Sequence, residues 1–136
     1  MSIQIKSLTM TVPTKDLSLA APLDTFNTVS TANEVYDLYT APNSGGFARS
    51  AIAKTIRLVN THATNAVKVS LYYNKPNANG QNRRRLLAPS DILLPAGTTY
   101  IDDSELTLDP GGKIQAKADT ANVIQYIISG VERDVT

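Results

Sequence analysis

A period-two alternation of apolar and polar residues is the feature that most constrains how this chain folds. Residues 55–60, 66–73 and 113–118 each place apolar side chains at alternate positions. This pattern is typical of strands that turn one face to a core and the other to water. No segment of about eleven or more residues carries a helical stripe, and only residues 15–21 suit a single helical turn. We therefore predict an all-β fold.

Turn residues separate the predicted strands at short intervals. Asp109-Pro110-Gly111-Gly112 fits a type II turn, because proline presets its first central φ and glycine accepts the positive second φ. Pro95-Ala96-Gly97 is a looser version of the same turn. Closely spaced strands joined in this way favour an antiparallel β-sandwich or a jelly roll. Eight to ten strands are expected, some of them merging, near residues 3–12, 23–30, 34–40, 51–60, 65–73, 83–88, 91–94, 98–101, 105–108, 112–118 and 122–132.

The N-terminal segment departs from regular alternation. Ile3 and Ile5 share one phase, whereas Leu8 and Met10 occupy the opposite phase. One interpretation is an ordinary first strand with a bulge near residues 6–7, which would restore a single apolar face. The other is an extended arm that contacts a neighbouring subunit. We expect two parts in the 136-residue chain, an N-terminal strand or arm over residues 1–22 and a β-sandwich domain over residues 23–136.

The last predicted strand is apolar on both faces. Ile124, Tyr126 and Ile128 point one way, and Val123, Ile127 and Val131 point the other. A strand in a two-layer sandwich needs only one apolar face. The surplus predicts that loops of the chain itself or another subunit cover the outer side.

The composition argues against several classes of function. The chain has no cysteine and one histidine, so thiol chemistry, disulfides and polyhistidine metal sites are not expected. Its formal net charge of +1 gives no overall attraction to nucleic acid or to an anionic membrane. No apolar run of about 18 residues is present, and the first residues do not resemble a secretion signal. We expect no enzyme activity, no cofactor and no metal.

Two charged runs and the single histidine are candidate sites. Arg83, Arg84 and Arg85 are interpreted first as a solvated edge that prevents sheet aggregation, second as a contact for an acidic partner, and a distant third as a direct nucleic-acid contact. Residues 102–105 (DDSE) are interpreted as a polar turn. Calcium binding and paired catalytic carboxylates are the less favoured interpretations of this run. His62 is expected to lie exposed in a hairpin loop.

Turn and core positions recur in several blocks: TIRLVNT at 55–61, AVKVSLYY at 66–73, LLPAG at 93–97, DD at 102–103, LTL at 106–108, PGG at 110–112, IQA at 114–116 and YIISGVE at 126–132. Together these blocks resemble small virion proteins of tailed bacteriophages. The similarity covers roughly residues 34–132 and consists of turns and core positions rather than catalytic residues. Such proteins are β-sandwiches that decorate or cement the capsid, or that belong to the neck or tail. The resemblance therefore implies a structural role and supplies no catalytic residues.

On these grounds we expect a capsid decoration protein that bridges and stabilises major capsid subunits. We expect a homo-oligomer, a symmetric trimer in particular, that is located in the virion and assembled in the reducing cytoplasm of a bacterial host. A neck or tail component, a receptor-binding adhesin domain and an enzyme of the glycosidase type are the alternatives, in that order. The residues predicted to contact partners are Ile3, Ile5, Leu8, Met10, Arg83, Arg84 and Arg85.

Overall fold

A computed structural model describes residues 3–7, 14–15, 34–44, 47–75 and 84–134 of the chain. These residues form strands and turns and contain no helix. In particular, none of them belongs to a helix that could cross a membrane. The strands are β1 (Ile3–Ser7), β2 (Thr14–Lys15), β3 (Tyr36–Thr40), β4 (Asn43–Ser44), β5 (Phe47–Asn60), β6 (Val67–Asn74), β7 (Arg84–Leu86), β8 (Ile92–Leu94), β9 (Thr99–Asp102), β10 (Leu106–Leu108), β11 (Lys113–Ala118) and β12 (Ile124–Asp134).

The strands form two antiparallel sheets. Sheet A has the order β1-β12-β5-β10, and β4 and β9 also pair with β5. Sheet B has the order β2-β3-β11-β6-β7, and β8 also pairs with β6. One hydrophobic core takes residues from both sheets, among them Leu58 and Ile128 from sheet A and Leu38, Leu71 and Ile114 from sheet B. The predicted all-β sandwich is confirmed.

A β-bulge in β5 explains how this long central strand keeps one face on the core. The register of β5 with β12 skips Lys54, because Thr55 pairs with Ser129 while Ala53 pairs with Gly130. The extra residue reverses the phase of the strand. Odd-numbered residues before Lys54 and even-numbered residues after it are therefore buried. In a regular strand without the bulge, these two sets of side chains would lie on opposite faces.

The alternation predicted for β11 is right for the core face and wrong for the other face. Ile114, Ala116 and Ala118 are buried as predicted. Gln115, predicted to face water, is also fully buried. Its amide group explains the exception, since it donates to the carboxylate of Asp37 at 2.7 Å and is hydrogen-bonded on its other side as well. A polar group is tolerated inside a protein when its hydrogen bonds are made.

The two predicted glycine turns are present. Gly111 has φ +86°, and the N–H of Gly112 donates to the carbonyl of Asp109 at 2.8 Å, as in a type II turn. Gly97, in the second turn, has φ +71°. Both turns need glycine, because L side chains rarely adopt a positive φ.

The N-terminal strands pair with strands of the same chain. β1 lies beside β12 in sheet A, and β2 lies beside β3 in sheet B. Residues 8–13 and 16–33, which include Leu8, Met10 and the strand predicted at 23–30, lie outside the described residues. The boundary proposed at residue 22 and the contact of residues 1–22 with a neighbour remain predictions.

Candidate interaction surfaces

The outer face of sheet A carries large apolar side chains that the described part of the chain leaves exposed. Ile127 of β12 is 52% exposed and Ile101 of β9 is 51% exposed. Both are register partners of Arg57 in β5, so the three residues form one row across three strands. Side chains on such opposed positions lie about 5 Å apart and interact. The outward apolar surplus predicted for the last strand is therefore present, and Ile127 is only half covered.

A second apolar row crosses the same face. Val131 of β12 and Thr107 of β10 are both register partners of Ile52 in β5. A depression of about 340 Å³ opens at this row. It is lined by Ser50, Ala51, Ile52, Thr107, Val131 and Arg133.

We define the apolar patch as Ile52, Arg57, Ile101, Ile127 and Val131, which are the members of these two rows other than Thr107. Arg57 supplies its central charge. Its side chain is exposed, and none of the ion pairs formed between described residues includes it. Lys54, which lies nearby on the same strand, is by contrast paired with Glu105.

A buried polar cluster links the two sheets beside the depression. The hydroxyl of Tyr39 in β3 donates to the carboxylate of Glu132 in β12 at 2.5 Å. Arg49 of β5 reaches Glu132 at 3.2 Å and Asp134 at 2.8 Å. Burial, followed by the hydrogen bond to Glu132 and its negative charge, raises the pKa of Tyr39, and this outweighs the opposing effect of Arg49. Tyr39 therefore remains a neutral hydrogen-bond donor, which fixes the sheets at this end of the sandwich.

The opposite side of the sandwich carries two further exposed apolar side chains. Leu86 of β7 and Leu93 of β8 are 52% and 60% exposed, and both strands pair with β6 at the edge of sheet B. We call Leu86 and Leu93 the β7–β8 edge. Their register partners are Tyr72 and Lys68, which lie on the solvent side of β6.

The arginines of the run 83–85 differ in their surroundings. Arg85 is exposed, as expected for a solvated edge. Arg84 differs from that expectation, because it is half-buried, lies 5.4 Å from the ring centre of Tyr72 and donates to Gln115 at 3.0 Å. Arg83 lies outside the described residues. Arg84 thus supports sheet B, and contact of the arginine run with a partner stays a prediction.

Two of the other predicted contact residues lie next to the apolar patch. Ile3 and Ile5 of β1 are the register partners of Arg133 and Val131 in β12. Ile5 therefore continues, in backbone register, the row of Val131 and Ile52, and Ile3 continues the neighbouring pair of Arg133 and Ser50. Their contact with a neighbouring chain stays a prediction, as does that of Leu8 and Met10.

The acidic run is a polar turn, as predicted. The carboxylate of Asp102 accepts hydrogen bonds from the backbone N–H and the hydroxyl of Ser104, at 3.0 and 2.6 Å. The histidine prediction is only partly right, because His62 is half-buried and its Nδ1 accepts from the N–H groups of Thr64 and Asn65. Over the described ranges, no group of three or more histidine, aspartate or glutamate residues is placed to hold a metal ion.

Reasoning from the sequence missed three residues of the apolar patch: Ile52, Arg57 and Ile101. Each occupies an outward position in a strand that was predicted, so the alternation contained part of the signal. What the alternation does not contain is the order of strands in the sheet. Only the pairing of β9, β5 and β12 brings Ile101, Arg57 and Ile127 into one row.

Comparisons with known proteins give weak structural similarities. No protein-family model matches the chain, and no curated protein matches it in sequence. Among solved structures, a chain in the structure of infectious bursal disease virus Gx strain has a TM-score of 0.45 and 8% identity, over 96% of this chain and 30% of that one. The CBM22-1 xylan-binding domain from Paenibacillus barcinonensis has a TM-score of 0.40 and 7% identity, over 98% and 82%. A pentameric capsid protein from metagenomic phage sequences has a TM-score of 0.30 and 14% identity, over 80% and 61%. The chain thus spans less than two thirds of both virus-derived chains, and none of these similarities assigns it a function.

Proposed function

We propose that this chain is a virion structural protein, specifically a capsid decoration protein that bridges and stabilises major capsid subunits. It would act as a rigid adaptor between other chains. The resemblance of residues 34–132 to small virion proteins of tailed bacteriophages supports this proposal from the sequence. A homotrimer is the proposed oligomeric state.

The observation that carries the proposal is the presence of exposed apolar surface on two opposite sides of one sandwich. The apolar patch lies on sheet A, and the β7–β8 edge lies on sheet B. Single exposed apolar residues are common on soluble proteins, whereas grouped ones mark interaction surfaces. A protein that bridges needs at least two such surfaces, and it needs them on different sides.

The proposed mechanism is thermodynamic linkage. A protein that binds the expanded shell more tightly than the unexpanded one stabilises the expanded state. At a concentration a hundred times its dissociation constant, each bound site adds about 2.7 kcal/mol. Many sites per particle would add up to a large resistance to internal pressure.

The N-terminal segment 1–22 and Arg83 to Arg85 are proposed as additional contacts with the shell or with a neighbouring copy. Deletion of residues 1–22 tests the first of these. We expect the truncated chain to attach to shells more weakly than the full chain. Because β1 and β2 are removed as well, the folding of the truncated chain is checked by circular dichroism. Unchanged affinity of a folded truncated chain would exclude the arm.

The decisive experiment is to count this chain in purified particles by quantitative mass spectrometry. We expect a copy number that is a fixed, large fraction of the major capsid protein. Shells that lack the chain should also open at a lower temperature and regain stability when the purified protein is added. A few copies per particle would favour a neck or tail position instead, and absence from particles would end the virion proposal.

A further inference from the structure

We infer that the apolar patch binds a different protein chain, which presents an apolar side chain and a carboxylate to it. The inference rests on the proposed function and goes beyond it, because it selects one surface and states the chemistry of the partner. The apolar patch contains no residue of the N-terminal segment 1–22 and none of the arginine run 83–85.

The shape of the patch suits a protein partner. Its two rows are four residues apart along β12, or roughly 13 Å, and it spans three strands, or roughly 10 Å. The depression of about 340 Å³ at its Ile52–Val131 end exceeds the roughly 150 Å³ that holds a benzene molecule in an engineered cavity. A large apolar side chain of the partner fits such a depression, and anchors of this kind dominate the energy of interfaces.

The charge of Arg57 sets a second requirement for the partner, which is a carboxylate. Arg57 stands between Ile101 and Ile127 in one row, so a partner that covers the two isoleucines also removes Arg57 from water. Burying a guanidinium without a counter-charge is strongly unfavourable. Since Arg57 has no ion pair among the described residues, the partner must supply the acid. A carboxylate does so with paired, charge-assisted hydrogen bonds.

The same charge argues against a second copy of this chain as the occupant. A two-fold contact centred on this row would place Arg57 opposite Arg57. A head-to-tail contact with the β7–β8 edge brings Arg57 toward Lys68, the register partner of Leu93. Like charges brought together in an interface disfavour binding. The partner is therefore an unlike chain, and the major capsid protein is the candidate under the proposed function.

The experiment measures binding of the full chain to purified capsid shells that lack it, by co-sedimentation. The test variant is Arg57→Glu, and the matched control is Lys75→Glu, which makes the same change of charge at a partly exposed lysine that follows β6 and pairs with Asp109. We expect Arg57→Glu to weaken binding roughly tenfold or more, and Lys75→Glu to leave it unchanged. A second variant, Ile127→Ser, removes apolar surface without a change of charge and should also weaken binding.

The outcomes separate the inference from the function on which it rests. If the wild-type chain binds shells and Arg57→Glu binds equally well, the inference is overturned and the decoration role stands. If Arg57→Glu instead changes the oligomeric mass, the patch joins copies of this chain. If it changes the unfolding midpoint, the patch contacts another segment of the same chain. Either result overturns the inference. Failure of the wild-type chain to bind shells, together with its absence from particles, counts against the proposed function itself.

Discussion

At the scale of single residues, the pair formed by Tyr39 and Glu132 is the most informative feature of the interior. The two residues are 93 positions apart in sequence and lie on different sheets. Glu132 is only 2% exposed, so its carboxylate depends on protein donors for its hydrogen bonds. No local pattern in the sequence predicts this contact. Position 132 falls on the buried phase of β12, where alternation predicts an apolar side chain.

Replacement of Tyr39 by phenylalanine tests how much this contact contributes to the unfolding free energy. Tyr39→Phe keeps the ring but leaves the buried carboxylate short of one donor, which costs about 1–3 kcal/mol of unfolding free energy. Urea unfolding measures the loss. Tyr100→Phe is the control, since Tyr100 is only half-buried and no hydrogen bond of its hydroxyl is seen among the described residues, and we expect a change within about 0.5 kcal/mol. Equal losses in the two variants would show that the bond to Glu132 adds nothing.

The buried tyrosines also predict sensitivity to alkaline conditions. Burial raises the pKa of Tyr126 and, with the hydrogen bond and charge of Glu132, that of Tyr39. An unfolded tyrosine ionises near pH 10. Above that pH the folded state therefore holds more protons than the unfolded state, so stability falls as the pH rises toward the folded pKa. In this range each tyrosine lowers the unfolding free energy by up to about 1.4 kcal/mol per pH unit.

The measurement is the unfolding free energy in urea between pH 8 and pH 11.5. We expect a flat region below about pH 9.5 and a steep decline above pH 10. Tyr39→Phe should make the decline shallower, because phenylalanine cannot ionise. Parallel declines in the wild-type chain and the variant would mean that Tyr39 ionises in the folded state as easily as in the unfolded one.

At the scale of elements, the strands were predictable and the irregularities were not. Alternation and glycine turns located β6, β9, β10 and β11 to within about two residues, because both signals are local. The bulge at Lys54 was not predicted, since nothing in the sequence near that lysine indicates an extra residue. The burial of Gln115 was missed for a different reason. Its partners come from two other strands, and only the assembled sheet supplies them.

Two single-residue deletions test the bulge. Removal of Lys54 takes out the extra residue and leaves regular alternation, with Ala53 and Ile56 still facing the core. We expect this variant to fold, with a loss of roughly 1–3 kcal/mol for the altered strand and the lost ion pair with Glu105. The loss is measured by urea unfolding.

Removal of Arg57 from the regular part of the same strand is the control. This deletion shifts every side chain on one side of the gap to the opposite face of the sheet. We expect that variant to lose its folded circular dichroism spectrum. If both deletions behave alike, the irregularity at Lys54 is not a bulge that absorbs one residue.

At the scale of the whole molecule, two exposed apolar surfaces lie on opposite sides of one core. The sequence predicted part of this arrangement, because the last strand is apolar on both faces. It did not predict the row formed by Ile101, Arg57 and Ile127, since strand order is not encoded in periodicity. For the same reason, Ile3 and Ile5 could be singled out from their apolar character, but not placed beside Arg133 and Val131.

A homo-oligomer is the prediction that belongs to this scale. We expect light scattering to give a mass about three times the 14.6 kDa of one chain. The unfolding temperature should rise with protein concentration, because association stabilises the folded state by mass action. A mass of one chain at all concentrations, with an unfolding temperature that does not change, would contradict the proposed trimer.

The pairing of β1 with β12 has a mechanical consequence. Ile3 is opposite Arg133 and Ser7 is opposite Ser129, so a tensile force applied at residues 3 and 133 pulls both strands from the same end. Hydrogen bonds between antiparallel strands lie across the strand direction. Such a force would unzip them one pair at a time instead of shearing them together. Load that enters through the sheet faces would therefore be resisted better than load that enters through the outermost strand.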